Sequence, residues 1–214
     1  MTCEHCCGAD QIFDLQTAQK EMRKFKKRGP GLSTQKLITT IKPHIEGRES
    51  LLDIGGGIGA IQWAFLGTNG KRTTDVDSSS GYLQVASEYA TENNLNSKFI
   101  SGDFNDLVPE IETHDVVTLD KVVCCYPDYE QLLKNATRKT RNVLAMTLPL
   151  GGFISNILRM FSTLYFKFRK NAFRTYIHNP KKVQSFIESQ GFQIMEKTIS
   201  FPWLIRVYQR IESN

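Results

Sequence analysis

The chain has no uninterrupted apolar run long enough to cross a bilayer. Its longest apolar-rich stretch, Leu148 to Phe168, is broken by Gly151-Gly152, Asn156, Arg159 and Lys167. No membrane span is therefore expected, and only an interfacial helix with peripheral membrane contact stays open. The opening residues Met1-Thr2-Cys3-Glu4-His5-Cys6-Cys7 lack the basic segment and apolar stretch of a secretory leader, so a cytoplasmic location is the expectation. Cysteine is scarce and odd in number, five among 214 residues, which argues for reduced thiols rather than a disulfide framework. Those five cluster at Cys3, Cys6 and Cys7 and at Cys124 and Cys125. Cys3-x-x-Cys6-Cys7 with His5 has ligand-like spacing but no second pair close by in sequence, so no metal is expected. Excess charge of one sign is small, 27 basic against 22 acidic residues, and a dedicated nucleic-acid partner is not required. The runs Lys20 to Arg28 and Lys167 to Arg174 read as solvated faces. There is no internal repeat and no low-complexity tract.

What is present suffices for one compact unit, since 40% of the residues are hydrophobic and a chain of this length can bury a core without staples. Residues 1–48 read as an N-terminal helical segment packing on the remainder. Ile12, Leu15, Ala18, Met22 and Phe25, then Leu37, Ile38 and Ile41, recur at helical spacing. Gly29-Pro30-Gly31 separates the two helices, with Ser33 as N-cap of the second. After Gly47 the pattern changes to short apolar runs between helical stretches: Ser50 to Ile54, Thr73 to Val76, Lys98 to Ser101, Asp115 to Leu119 and Asn142 to Leu148. Buried strands alternating with helices predict an α/β fold with a parallel sheet. Phe192 to Ser200 and Trp203 to Ile211 predict a C-terminal antiparallel hairpin, preceded by a helix over Pro180 to Gln190. The aromatic and basic stretch over 150–180 reads as a helical lid inserted between strands five and six.

Leu51-Leu52-Asp53-Ile54 ends a buried strand, and Gly55-Gly56-Gly57-Ile58-Gly59 lets the backbone turn tightly and approach a ligand before a helix over Ala60 to Leu66. Alone, such a loop also satisfies a relaxed dinucleotide fingerprint. Asp77 closes the second strand about 20 residues further on, where a carboxylate accepts from both hydroxyls of a ribose; that suits either NAD or S-adenosylmethionine. The third element discriminates between them. Ile100-Ser101-Gly102-Asp103-Phe104 is an apolar strand ending in Gly-Asp-aromatic at the sheet mouth, where Asp103 can accept from an adenine amino group while Phe104 packs on the base.

These elements, in this order, resemble the class I S-adenosylmethionine-dependent methyltransferases, over roughly residues 34–211. The resemblance implies a Rossmann-like, doubly wound seven-stranded sheet with residues 49–214 as the S-adenosylmethionine-binding domain. It also implies that Asp53, Gly55 and Gly57 hold the methionine part, Asp77 the ribose, and Asp103 with Phe104 the adenine, with Ile58, Ser78 and Asp120 completing the cofactor contacts. Tyr126-Pro127-Asp128 and the stretch from Arg174 to Pro180 are further similar to magnesium-protoporphyrin O-methyltransferases, which methylate a porphyrin propionate.

In an open α/β sheet the ligand lies beyond the carboxyl ends of the strands, so the residues after strand four face the transferred group. Methyl transfer is an in-line displacement at an activated carbon, and the protein contributes positioning, desolvation and, where needed, proton removal. Asp120, Tyr126 and His178 are the candidates for the proton step. Lys121, Cys124, Tyr126, Arg174, Tyr176 and His178 are expected to face a small-molecule acceptor, apolar or carboxylate-bearing; a carboxylate would need no base, and Lys121 or Arg174 would orient it. The cysteine pairs keep open a thiol or metalloid acceptor, should the N-terminal segment fold over the sheet edge. Two further readings are an NAD-dependent oxidoreductase, for which no hydride-transfer constellation is present, and a non-catalytic binding module on the same fold. No Asn-Pro-Pro-Tyr-like motif points to base methylation, and a monomer or homodimer is expected.

Overall fold

The computed structural model describes residues 10–151 and 173–211. Seven strands form one sheet: β1 (Ser50–Ile54), β2 (Arg72–Asp77), β3 (Ser97–Ser101), β4 (His114–Leu119), β5 (Thr140–Pro149), β6 (Phe192–Ser200) and β7 (Trp203–Arg210). Around them lie α1 (Leu15–Arg28), α2 (Leu32–Ile41), α3 (Ala60–Leu66), α4 (Ser80–Glu92), α5 (Phe104–Leu107), α6 (Tyr129–Lys139) and α7 (Pro180–Ser189). The strand order is β3-β2-β1-β4-β5-β7-β6. The first five strands pair in parallel, and β7 runs antiparallel to both β5 and β6.

Every residue of β1 is buried, the signature of a strand covered by helices on both faces. Successive side chains divide between those faces. Leu52 and Ile54 join Val76, Phe104, Leu132, Leu133 and Ile187 in a core under α6 and α7. Leu51 points the other way, into a core with Leu37, Ile41, Ile61 and Phe65 of α2 and α3. A smaller cluster of Ala18, Met22, Tyr82 and Val85 packs α1 on α4. The sequence order reverses between β1 and β4, so a crevice opens at their carboxyl ends, where such sheets bind ligands.

The observed elements differ from the expected ones where tertiary pairing decides. β5 is longer at both ends than Asn142 to Leu148, because β4 pairs His114 with Thr140 at its start and the antiparallel ladder with β7 extends to Pro149 opposite Trp203 at its end. Gly31, not Ser33, is the N-cap of α2 and offers no side-chain bond; Ser33 lies inside the helix, two positions too late to cap it. The helical lid expected over 150–180 falls largely outside the described residues. Residues 173–179 return to α7 without regular structure. Among the described residues no helix is long and apolar enough to cross a membrane.

Candidate active site

The turn after β1 is built around two glycines that could not be otherwise. Gly55 has φ of +65° and donates to the carbonyl of Val76 at 2.8 Å; a side chain there would meet Val122 Cγ2 at 2.5 Å. At Gly56 the obstacle is beneath the loop. A Cβ would lie 2.7 Å from Gln62 Nε2 and 2.8 Å from both Asp53 Oδ2 and Asp75 Oδ1.

Those polar atoms form the floor of the site. Asp53 and Asp75 are register partners on adjacent parallel strands, 1% and 0% exposed respectively. Asp53 Oδ1 accepts from Thr118 Oγ1 at 2.6 Å, while its Oδ2 is buried with no hydrogen-bond partner among the described residues. Burial, with the charges of Asp120 and Asp77 adding to it, pushes the Asp53 carboxyl up to about 7. Asp75 accepts from Gly56 N at 3.2 Å and from Gln62 Nε2 at 2.7 Å. Burial, then the charges of Asp77 and Asp53, raises it well above the usual carboxylate range.

Asp77, at the end of β2, ties the loop to the next helix by accepting from Gly57 N at 3.1 Å and Ser79 N at 2.8 Å. Burial raises its carboxyl as well. Above this floor lies a cavity of about 420 Å³, walled by the glycine loop, Asp53, Asp77, Ser78, Asp103, Phe104, Asp120, Lys121, Cys125 and Tyr126. Aromatic side chains close it from elsewhere in the chain. Phe13 meets Phe173 and Tyr82 edge-on, with centroids 5.7 and 5.9 Å apart. The segment before α1 is latched across the rim, since Asp10 accepts from Ser80 N at 2.9 Å and Ser79 Oγ donates to the Phe13 carbonyl.

On the β4 side, Asp120 accepts from Thr34 Oγ1 at 2.6 Å, Thr147 Oγ1 at 2.9 Å and Lys121 Nζ at 3.2 Å. Lys121 has φ of +63°, a conformation that non-glycine residues adopt at a cost; its amide donates to Thr147 Oγ1 at 2.6 Å. This network joins α2, the β4 loop and β5.

The residues present fit S-adenosylmethionine. An unpartnered buried carboxylate oxygen and two further acids face the loop, and none of the three forms an ion pair with a basic side chain among the described residues. The methyl donor brings an ammonium and a sulfonium to that deficit of positive charge. Fold and site together resemble those of the class I S-adenosylmethionine-dependent methyltransferases. Residues 52–143 match the family model for the methyltransferase domain. The ubiquinone biosynthesis O-methyltransferase of Coxiella burnetii is 25% identical over 161 residues, covering 69% of this chain and 65% of that protein. The chain thus spans somewhat less than two thirds of that relative's length. Among solved structures, magnesium protoporphyrin IX methyltransferase from Synechocystis, with S-adenosylhomocysteine bound, superposes with a TM-score of 0.64 at 15% identity, covering 94% of this chain and 85% of that one. Mitomycin 7-O-methyltransferase gives 0.64 at 17% identity, over 91% and 60% of the two chains.

The structure brings Asp53, Gly55, Gly57, Ile58, Asp77, Ser78, Asp103, Phe104, Asp120, Lys121 and Tyr126 to one cavity wall. Phe104 is 1% exposed, its ring belonging as much to the core as to the cavity. Asp103 N-caps α5 by accepting from Asn105 N at 2.9 Å, and it accepts from Tyr126 Oη at 3.0 Å. Other expected residues stand back from the wall. His178 Nε2 donates to the Tyr126 carbonyl at 2.9 Å and its ring lies 4.6 Å from that of Tyr129; burial lowers its affinity for a proton. It braces the Tyr126 turn from behind. The Tyr176 amide donates to the Cys124 carbonyl at 2.7 Å, and Arg174 Nη1 donates to the Phe173 carbonyl at 2.7 Å. Cys124 is buried, and its neighbour Cys125 reaches the wall instead. Cys3, Cys6 and Cys7 lie outside the described residues. Asp75, Gln62, Phe13 and Phe173 went unread in the sequence. Asp75 alone carried a signal, an acid two positions before Asp77 on an otherwise buried strand.

Proposed function

We propose that this chain transfers the methyl group of S-adenosylmethionine to a small-molecule acceptor that is apolar or bears a carboxylate. One observation carries the reading: a glycine loop held from below by Asp75 and from its far side by Asp77, over a buried carboxylate oxygen left without a hydrogen-bond partner among the described residues. Bound there, the cofactor supplies a methyl group already activated by its sulfonium. The chain's residues do the rest by binding and orientation. The loop amides and Asp53 receive the amino-acid end, Asp77 the ribose hydroxyls, and Asp103 the adenine edge beside Phe104. Asp120, held by three donors, stays fixed at the reacting end rather than free to move a proton. The acceptor space is walled by Phe13, Phe25, Phe173 and Tyr126 with Lys24 at its edge, a combination suited to a flat apolar body with an anionic group. The relatives named for ubiquinone biosynthesis and for magnesium protoporphyrin IX favour an acceptor of that kind.

Calorimetry on the whole chain tests the donor. S-adenosylhomocysteine is expected to bind with a Kd on the order of 1–100 µM, about 5 to 8 kcal/mol, and NADH to give no heat. The reverse result overturns the reading in favour of an oxidoreductase.

A thiol or metalloid acceptor is a second reading, favoured by Cys125 at the cavity wall. Both thiols of the pair point at the Lys121 carbonyl, at 3.3 Å for Cys124 Sγ and 3.5 Å for Cys125 Sγ. Interaction between the two thiols lowers Cys124 and, together with burial, raises Cys125 well above the usual thiol range. This reading predicts methylated arsenic from arsenite with the wild type, and at least tenfold less with Cys125→Ser. No methylated arsenic from the wild type ends it.

A further inference from the structure

Asp53 and Asp75 stand opposite one another on neighbouring strands, an arrangement that is destabilising when both carry charge. Both are shielded from solvent, and among the described residues no lysine, arginine or histidine forms an ion pair with either one. Gly56 brings Asp53 Oδ2 and Asp75 Oδ1 to a common point, each 2.8 Å from the place where its Cβ would stand. Behind Asp75 a buried polar chain runs outward, from Gln62 Nε2 at 2.7 Å to Gln62 Oε1, Thr73 and Ser97. Gln62 gives Asp75 one hydrogen and Gly56 gives another. Among the described residues Asp53 Oδ2 accepts no hydrogen bond. Two buried acids with one unsatisfied oxygen between them accommodate a shared proton far better than two charges.

We propose that Asp75 makes methyl-donor binding proton-linked: the Asp53–Asp75 pair holds a proton beneath Gly56 in the empty site, and the cationic donor displaces it to solvent. The inference rests on S-adenosylmethionine as the ligand and adds a discrimination that the loop alone does not give. S-adenosylmethionine carries a sulfonium that S-adenosylhomocysteine lacks, the product being neutral at sulfur once the methyl group has left. The donor therefore favours the ionised pair more strongly than the product does. The proton returns as the product forms or leaves, and Asp75 acts as a positioning residue that weakens the hold on spent cofactor. The charges around the pair are accounted for. Asp77 shares the strand with Asp75, Asp10 faces Asp77 from the rim, and Asp120 faces Asp53 but is paired with Lys121. All but Lys121 are acids that oppose ionisation of the pair, so only an incoming cation relieves it.

Calorimetric titrations of the full chain at pH 7, in phosphate and in Tris, count the protons released from the difference in buffer ionisation heat. Release of about half a proton or more is expected for S-adenosylmethionine and clearly less for S-adenosylhomocysteine. In Asp75→Asn the new amide supplies the missing hydrogen to Asp53 Oδ2 permanently. Both ligands then bind with little or no proton release, and their affinities lose the pH dependence between pH 6 and 8. A second arm needs no ligand. A carboxyl raised in the folded state stabilises the fold below its ordinary value of 3.8 and loses that contribution as pH rises through about 7. The Tm of the ligand-free wild type is thus expected to fall, relative to Asp75→Asn, from pH 5 to pH 8. Binding with equal heats in both buffers, or equal proton release in the variant, overturns the inference and leaves the donor assignment standing. Absence of binding by either ligand overturns both.

Discussion

Gly56→Ala is expected to weaken S-adenosylhomocysteine binding at least a hundredfold, measured by calorimetry at neutral pH. The reason lies beneath the loop rather than in its backbone angles. The added methyl would sit within 2.8 Å of Gln62 Nε2, Asp53 Oδ2 and Asp75 Oδ1, all of them buried and two of them on strands that cannot move apart. Relief must come from the loop rising into the cavity, where it occupies the space meant for the ligand. Overpacking of this kind costs about 1–3 kcal/mol in stability, so the Tm should fall by roughly 2–12 °C for a domain of this size. A Gly56→Ala protein that binds as tightly as the wild type would show that the loop has freedom the described contacts do not allow.

Asp77→Ala is expected to separate binding from stability. Its carboxylate fixes the amides of Gly57 and Ser79, and in the proposed complex it accepts from ribose. Hydrogen bonds to a charged group contribute about 1.5–3 kcal/mol each, so affinity should drop by roughly 100-fold or more. Stability responds differently. Burial raises this carboxyl in the folded state, so its contribution is favourable below the ordinary range and is lost as pH rises. At pH 8 the alanine variant removes that unfavourable term while leaving two amides unpaired, and the two changes oppose one another. Thermal unfolding within a few degrees of wild type, together with the lost affinity, is the expected pair of results. A large fall in Tm with affinity retained would assign Asp77 to the scaffold.

How much of this was legible beforehand follows from the range of the interactions involved. The strands of the parallel sheet are legible because burial on both faces favours short, largely apolar runs such as Ser50 to Ile54. The glycine loop, Asp77 and Asp103 were legible because each sits within one turn of a strand end. The aromatic wall was not, since Phe13 and Phe173 come together from opposite ends of the chain. The place of His178 is not legible for a related reason. Its ring satisfies the Tyr126 carbonyl, 52 residues away, and no local pattern could distinguish that brace from a group facing the cavity. Lys121 is expected, with Arg174, to orient an acceptor carboxylate, and only the fold shows its ammonium donating to Asp120 and Thr34. Asp75 was overlooked because only the register of β1 against β2 reveals that its partner is another acid.

The position of β7 bears on the order in which the molecule can assemble. It follows every other described strand in sequence yet lies inside the sheet, and among the described residues it is the sole strand partner of β6. Until β7 is available, β6 has no ladder to join and β5 keeps one edge open. Strands β1 to β4 pair among themselves without the hairpin and can form before it. The hairpin must then dock as a pair, and such long-range pairing is slow. During synthesis, therefore, the cradle can be in place before the sheet that buttresses it is complete.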